Sequence, residues 1–254
     1  MSIRSMARSR GTGKVVTVAV AVASVVGMMA TLSPASAADE PKAGIEKPTA
    51  SEYVAWLGQQ DDADADRTAE QFEALSSDEQ AKFLNYIADP ELVTALAGEK
   101  GDPGADPDTE ARRTATGERV TTKLAGGDVV ITSEGGVTAP ATRGTAGDWS
   151  CYNWVNYKVF GIEIAKHTLK QWYRSTTTKV DKVYSASATH KNLNPGVQVS
   201  NQPEDQWISA AGNALAYAVW NIDFVYSGSA IHSDKRQHIR CDETGYRFGY
   251  FKNA

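Results

Sequence analysis

Ala214-Leu215-Ala216-Tyr217-Ala218-Val219-Trp220-Asn221-Ile222-Asp223-Phe224-Val225-Tyr226 is the stretch on which the fold turns. Its even positions are all apolar and point to one side of an extended chain, whereas Asn221 and Asp223 point to the other. That period of two is the signature of a strand with one buried face, and its length predicts a long central strand. Working outward, similar runs at 152–160, 162–174, 179–189, 197–201, 206–210, 237–241 and 246–252 read as further strands. The last two are separated by Asp242-Glu243-Thr244-Gly245, a hairpin loop with Gly where φ > 0 is needed. The expectation is a mainly β fold, an antiparallel sandwich or partly closed barrel over 149–254, preceded by a small helical segment.

The helical signals lie at 49–99. Thr49 with Glu52, and Ser76 with Glu79, are capping-box patterns. Asp89-Pro90 is a cap followed by a proline at the first helical position. Apolar content is thin, so the module is marginal alone or covers another surface. Residues 38–48 read as a flexible leader. Gly and Pro crowd the stretch 101–117, and 100–148 reads as a linker carrying one short hairpin, 119–124 and 128–132, across Gly126-Gly127.

Arg4, Arg8, Arg10 and Lys14 precede an apolar run over 15–30, then Pro34 and Ala35-Ser36-Ala37. This is the layout of a removable secretion signal, with cleavage expected after Ala37. The run is shorter than the roughly 20 residues that span a bilayer, so the product is expected to be released, without a membrane span. The only cysteines, Cys151 and Cys241, bracket the β region, and in an exported chain they are expected to form a disulfide. Charge divides sharply: residues 38–148 hold 23 acids against 10 bases, about −13, and residues 149–254 hold 8 acids against 12 bases, about +4. An excess that small over so long a stretch is no basic stripe, which argues against nucleic acid.

Chemical signatures are sparse. Asp62, Asp64, Asp66, Thr68, Glu70 and Glu73 match the ligand positions of a twelve-residue calcium loop, but Arg67 stands where the sharp turn requires Gly. The plainer reading is an acidic first turn of a helix. His167, His190, His232 and His238 lack nucleophile or metal spacing and read as surface residues. No catalytic, metal or cofactor residue is nominated. Five of the six tryptophans follow residue 148, interleaved with bases as in Trp172-Tyr173-Arg174 and Tyr246-Arg247-Phe248, a mixture suited to binding or to core packing.

The ordering of a signal segment, the helical stretch 75–90 (LSSDEQAKFLNYIADP), a polar linker and an aromatic, cysteine-clasped β domain resembles small secreted proteins of Gram-positive bacteria. Among these are geobacillin-type bacteriocins and the accessory subunits of umbrella-shaped toxin particles. The resemblance implies a non-enzymatic protein that acts by binding another protein or a cell-surface component, and it carries over no site residues. The alternatives are a secreted hydrolase with a site assembled from distant residues, and a carbohydrate-binding module.

Overall fold

The computed structural model describes residues 45–95, 109–138, 145–226 and 231–254; the expected secretion signal and its expected cleavage point, Ala37, lie outside them. Four helices come first: α1 (Ala50–Leu57), α2 (Ala63–Glu73), α3 (Ser77–Ile87) and α4 (Pro90–Ala95). Eleven strands follow: β1 (Thr109–Arg113), β2 (Gly117–Leu124), β3 (Val129–Thr138), β4 (Gly147–Val159), β5 (Ile162–Ser175), β6 (Val180–Asn192), β7 (Val197–Asn201), β8 (Asp205–Ile208), β9 (Ala214–Phe224), β10 (Ile231–Asp242) and β11 (Gly245–Asn253). The fold is mainly β, in two antiparallel sheets arranged as a sandwich. One is a six-stranded meander in the order β1 to β6; the other runs β11-β10-β9-β7, with β8 also pairing β9.

The alternation in β9 does what it predicts. Ala214, Ala216, Ala218, Trp220 and Phe224 are buried, and Asn221 and Asp223 are half-buried on the other side. The alanines leave room against the facing sheet for Trp149, Leu169 and Tyr173, which share their core. Cys151 on β4 and Cys241 on β10 form the disulfide, joining sheet to sheet with Cα atoms 6.6 Å apart. Polar side chains also bridge the sheets. Gln237 Nε2 donates to the Asn153 backbone carbonyl at 2.9 Å and its Oε1 accepts from Trp220 Nε1 at 3.0 Å. Gln171 Nε2 donates to the Leu215 carbonyl at 2.8 Å, and the Tyr173 hydroxyl to the Asp242 carbonyl at 3.0 Å.

β4 and β5 are 13 and 14 residues long, and part of their inner face is packed by helices instead of the second sheet. Tyr157, Val159, Ile162 and Ile164 form one cluster with Tyr53, Leu57, Phe72, Phe83 and Ile87. Both expected capping boxes are present. The helices therefore cover another surface, the inner face of β4 and β5. Tyr53 donates to the Leu193 carbonyl at 2.9 Å, Asn194 Nδ2 to the Ile87 carbonyl at 2.7 Å, and Tyr86 to Asp128 Oδ2 at 2.9 Å.

Residues 109–138, expected within a linker, supply three strands. The hairpin across Gly126-Gly127 forms, and both glycines have positive φ (69° and 99°). β3 then runs on to Thr138 and pairs with β4 over ten positions. Its Gly135-Gly136, which read as loop, fit a sheet because neighbouring tyrosines need the space: a Cβ on Gly135 would run into the ring of Tyr246, and one on Gly136 into the Tyr152 hydroxyl.

Candidate functional site: an aromatic and cationic sheet face with an arginine cleft

The register of β8, β9, β10 and β11 sets a row of rings side by side. His238 faces Tyr217 on β9 and Tyr250 on β11, Arg240 faces Leu215 and Phe248, and Trp207 also faces Leu215. Cross-strand partners share a face, so this side of the five-stranded sheet carries Trp207, Tyr217, His238, Phe248 and Tyr250. The His238 ring stacks on Tyr250 at 5.0 Å and Phe248 at 5.5 Å, and Trp207 lies 6.0 Å from Tyr217 and 6.5 Å from His238. Three cations cover these rings: Arg236 over Tyr217 at 5.1 Å, Arg240 over Phe248 at 5.8 Å and Lys252 over Tyr250 at 4.4 Å. Such contacts hold guanidinium and ammonium groups in place without neutralising them.

Burial, with Arg236, Arg240 and Lys252 nearby, pushes His238 down to about 4. The ring is neutral at neutral pH, and the positive charge of this face comes from its arginines and lysine. Of the five large apolar side chains exposed among the described residues, three (Trp207, Ile208 and Phe248) belong to this sheet.

A bulge shapes one end of the face. Arg240 pairs with Phe248 but Cys241 pairs with Tyr246, which leaves Arg247 as the extra residue. Tyr246 therefore turns inward onto Gly135, while Arg247 and Phe248 are both exposed. Next to this bulge the β1–β2 turn and the β10–β11 hairpin bound an open cleft of about 740 Å³, lined by Arg113, Thr114, Glu118, Arg240, Thr244 and Arg247, with Tyr246 and Phe248 as walls. Arg247 Nε pairs with Asp242 at 3.0 Å. Asp242 also accepts from the Thr244 and Gly245 amides at 2.8 and 3.1 Å, so its carboxylate is committed to the hairpin. Arg240 Nε is enclosed without a hydrogen-bond partner among the described residues.

A second open cleft, of about 770 Å³, lies between Trp56, Asp62 and Asp64 on the helical side and Glu163, His190 and Lys191 on the sheet. Lys191 Nζ pairs with Asp64 at 2.7 Å and Glu163 at 2.6 Å. The Lys191 hydrogen bond, foremost, holds the Asp64 carboxyl below its usual range. General acid catalysis by a carboxyl needs the opposite shift, and this triad instead ties α2 to β5 and β6.

The calcium-loop positions do not form a loop. Residues 63–73 are helix α2, Asp62 is its cap, accepting from the Asp64 amide at 2.9 Å, and Thr68 is buried. This is the acidic first turn. Two of the four histidines depart from the surface expectation, because His167 and His238 are buried. Inward-facing Tyr173 separates Trp172 and Arg174 on the six-stranded sheet, so of the two aromatic–basic triplets only Tyr246-Arg247-Phe248 belongs to the cationic face. Its partners come from β8, β9 and β10, whose local sequence carries no signal of the meeting. No family model matches the chain, and no curated protein or solved structure matches it.

Proposed function

We propose that this is a secreted, non-enzymatic binding protein that engages another protein or a cell-surface component through the outer face of its five-stranded sheet. The observation that carries the reading is the ring cluster of Trp207, Tyr217, His238, Phe248 and Tyr250 with three cations over it, at which Trp207 and Phe248 remain 38% and 39% exposed. Large aromatic anchors beside arginine are the side chains that most often dominate binding energy. The β3–β4 ladder, the packed helices and the sheet-to-sheet disulfide supply the rigid support such a face needs.

Two measurements test it. Intact mass of the protein recovered from culture medium is expected to correspond to a chain starting at residue 38. Fluorescently labelled protein titrated onto cells is expected to lose about tenfold or more in affinity on the double substitution Trp207→Ala with Phe248→Ala, and less than twofold on Tyr184→Ala, an exposed tyrosine of the other sheet. Equal affinities for the two variants would refute the assignment of the face.

A further inference from the structure

We infer that the cleft between the β1–β2 turn and the β10–β11 hairpin is a phosphate-recognition site, and that the ligand of the binding face carries phosphate groups. The inference rests on the reading of that face and names the chemistry it takes. Arg113, Arg240 and Arg247 line one cleft with the hydroxyl residues Thr114 and Thr244. Arg247 Nε and the Thr244 hydroxyl are already engaged by Asp242, which leaves the guanidiniums of Arg113 and Arg240, the outer nitrogen of Arg247 and the Thr114 hydroxyl for a ligand. A carboxylate, with two oxygens, is satisfied by a single bidentate guanidinium; donors from several guanidiniums suit a group with three or four acceptor oxygens.

Asp242 compensates Arg247, but the other two guanidiniums of the cleft are poorly compensated. Glu118 is its one acidic lining residue and the cross-strand neighbour of Arg113, yet neither Arg113 nor Arg240 forms an ion pair among the described residues. Among the described residues, the ring that Arg240 rests on is that of Phe248. Beyond the cleft, Arg236 and Lys252 are cross-strand partners on β10 and β11. Arg240 and Arg236 lie four positions apart on β10, so further cations follow along the face at strand spacing. The site thus extends in one direction, as a chain of phosphates requires. Because cations already cover the half-buried Tyr217 and Tyr250, those two rings offer little open surface for neutral sugars to stack on.

The test is a titration of the exported chain, followed by backbone amide NMR shifts at low salt, with inorganic phosphate, tripolyphosphate and acetate as probes. Phosphate probes are expected to shift amides of the 113–118 and 240–248 segments, and acetate to bind at least tenfold more weakly. Arg240→Gln and, separately, the exposed Arg113→Gln are each expected to weaken tripolyphosphate binding at least fivefold. The same charge removed by Lys158→Gln or Lys182→Gln, on the six-stranded sheet, should change it less than twofold. Tripolyphosphate binding more tightly than phosphate assigns the ligand to a phosphate chain, and equal binding to a single phosphate group. Absent shifts, acetate binding as tightly as phosphate, or equal losses in the lysine variants overturns the site. If the phosphate titration fails while Trp207→Ala with Phe248→Ala still abolishes cell binding, the cleft falls and the binding face stands. Phosphate binding at the cleft with cell binding indifferent to Trp207 and Phe248 is the reverse case.

Discussion

Acidification should loosen this fold, with His167 as the most deeply depressed of its histidines. Its ring is buried against Trp220 at 4.9 Å and Phe251 at 5.2 Å, and its Nε2 has no partner among the described residues. Burial first, and then the neighbouring His190, push it down to about 3. An unfolded histidine titrates near 6.5. The folded value is depressed, so the unfolded chain binds the proton more tightly. The stabilisation is complete above about pH 6.5 and is lost progressively as pH falls toward 3. Between about pH 7.5 and pH 5 the unfolded ring becomes protonated while the folded ring stays neutral, roughly one and a half pK units of linkage, or about 2 kcal/mol. Urea midpoints at both pH values, with the disulfide intact, measure this directly. The control is His167→Leu, which removes the titrating ring. His190 and His238, whose values are also lowered, contribute to both proteins and cancel. Asp64, Glu52 and Glu79, all lowered, titrate beneath the window. The variant should therefore lose about 2 kcal/mol less than the parent over this interval. Equal losses in the two proteins would refute the reasoning.

Replacing Gln237 with Leu should destabilise the fold by about 2 to 4 kcal/mol, because it orphans the Trp220 indole N–H and the Asn153 acceptors in the core; urea denaturation reports it, and a change under 1 kcal/mol would show that the bridge is dispensable. The paired substitution of Cys151 and Cys241 by Ser releases a loop closed over 90 residues, a loss of up to about 4 to 5 kcal/mol on the chain-entropy estimate, seen as a lower Tm. Gly135→Val should drive Tyr246 out of its seat, with a cost of about 2 kcal/mol or more typical of forced overpacking and a changed near-UV circular dichroism signal. An unaltered aromatic spectrum would place the ring elsewhere.

Sequence periodicity reaches as far as burial imposes it. All eight strands expected after residue 148 are present; in β4, β5 and β9 a buried inner face makes apolar residues alternate, whereas β8 buries none of its four residues. β10 is the instructive exception in length: the pattern marks 237–241, yet the strand begins at Ile231. Of its inward positions there only Ile231 is apolar; the others are the half-buried Ser233 and the buried Lys235, whose placement owes nothing to hydrophobicity. β1, Thr-Glu-Ala-Arg-Arg, is an edge strand whose side chains from Glu110 to Arg113 are exposed, and nothing in it separates strand from linker. The cationic face was half legible. Tyr246-Arg247-Phe248 announces an aromatic and basic segment, but Arg240, Tyr217, Trp207 and Arg113 join it only through strand pairing and a bulge, which local sequence does not encode.

The meander has a consequence for assembly. Strands β2 to β6 each hydrogen-bond to the one made just before, so this layer can grow in step with a chain emerging from its N-terminal end. Trp149, Leu169 and Tyr173 on its concealed side must nevertheless wait for residues 214–251, which are synthesised after them, before they are shielded from water. A newborn molecule thus passes through a stage with a finished layer and an oily back. During that interval it depends on a chaperone, or on speed, to avoid sticking to its neighbours.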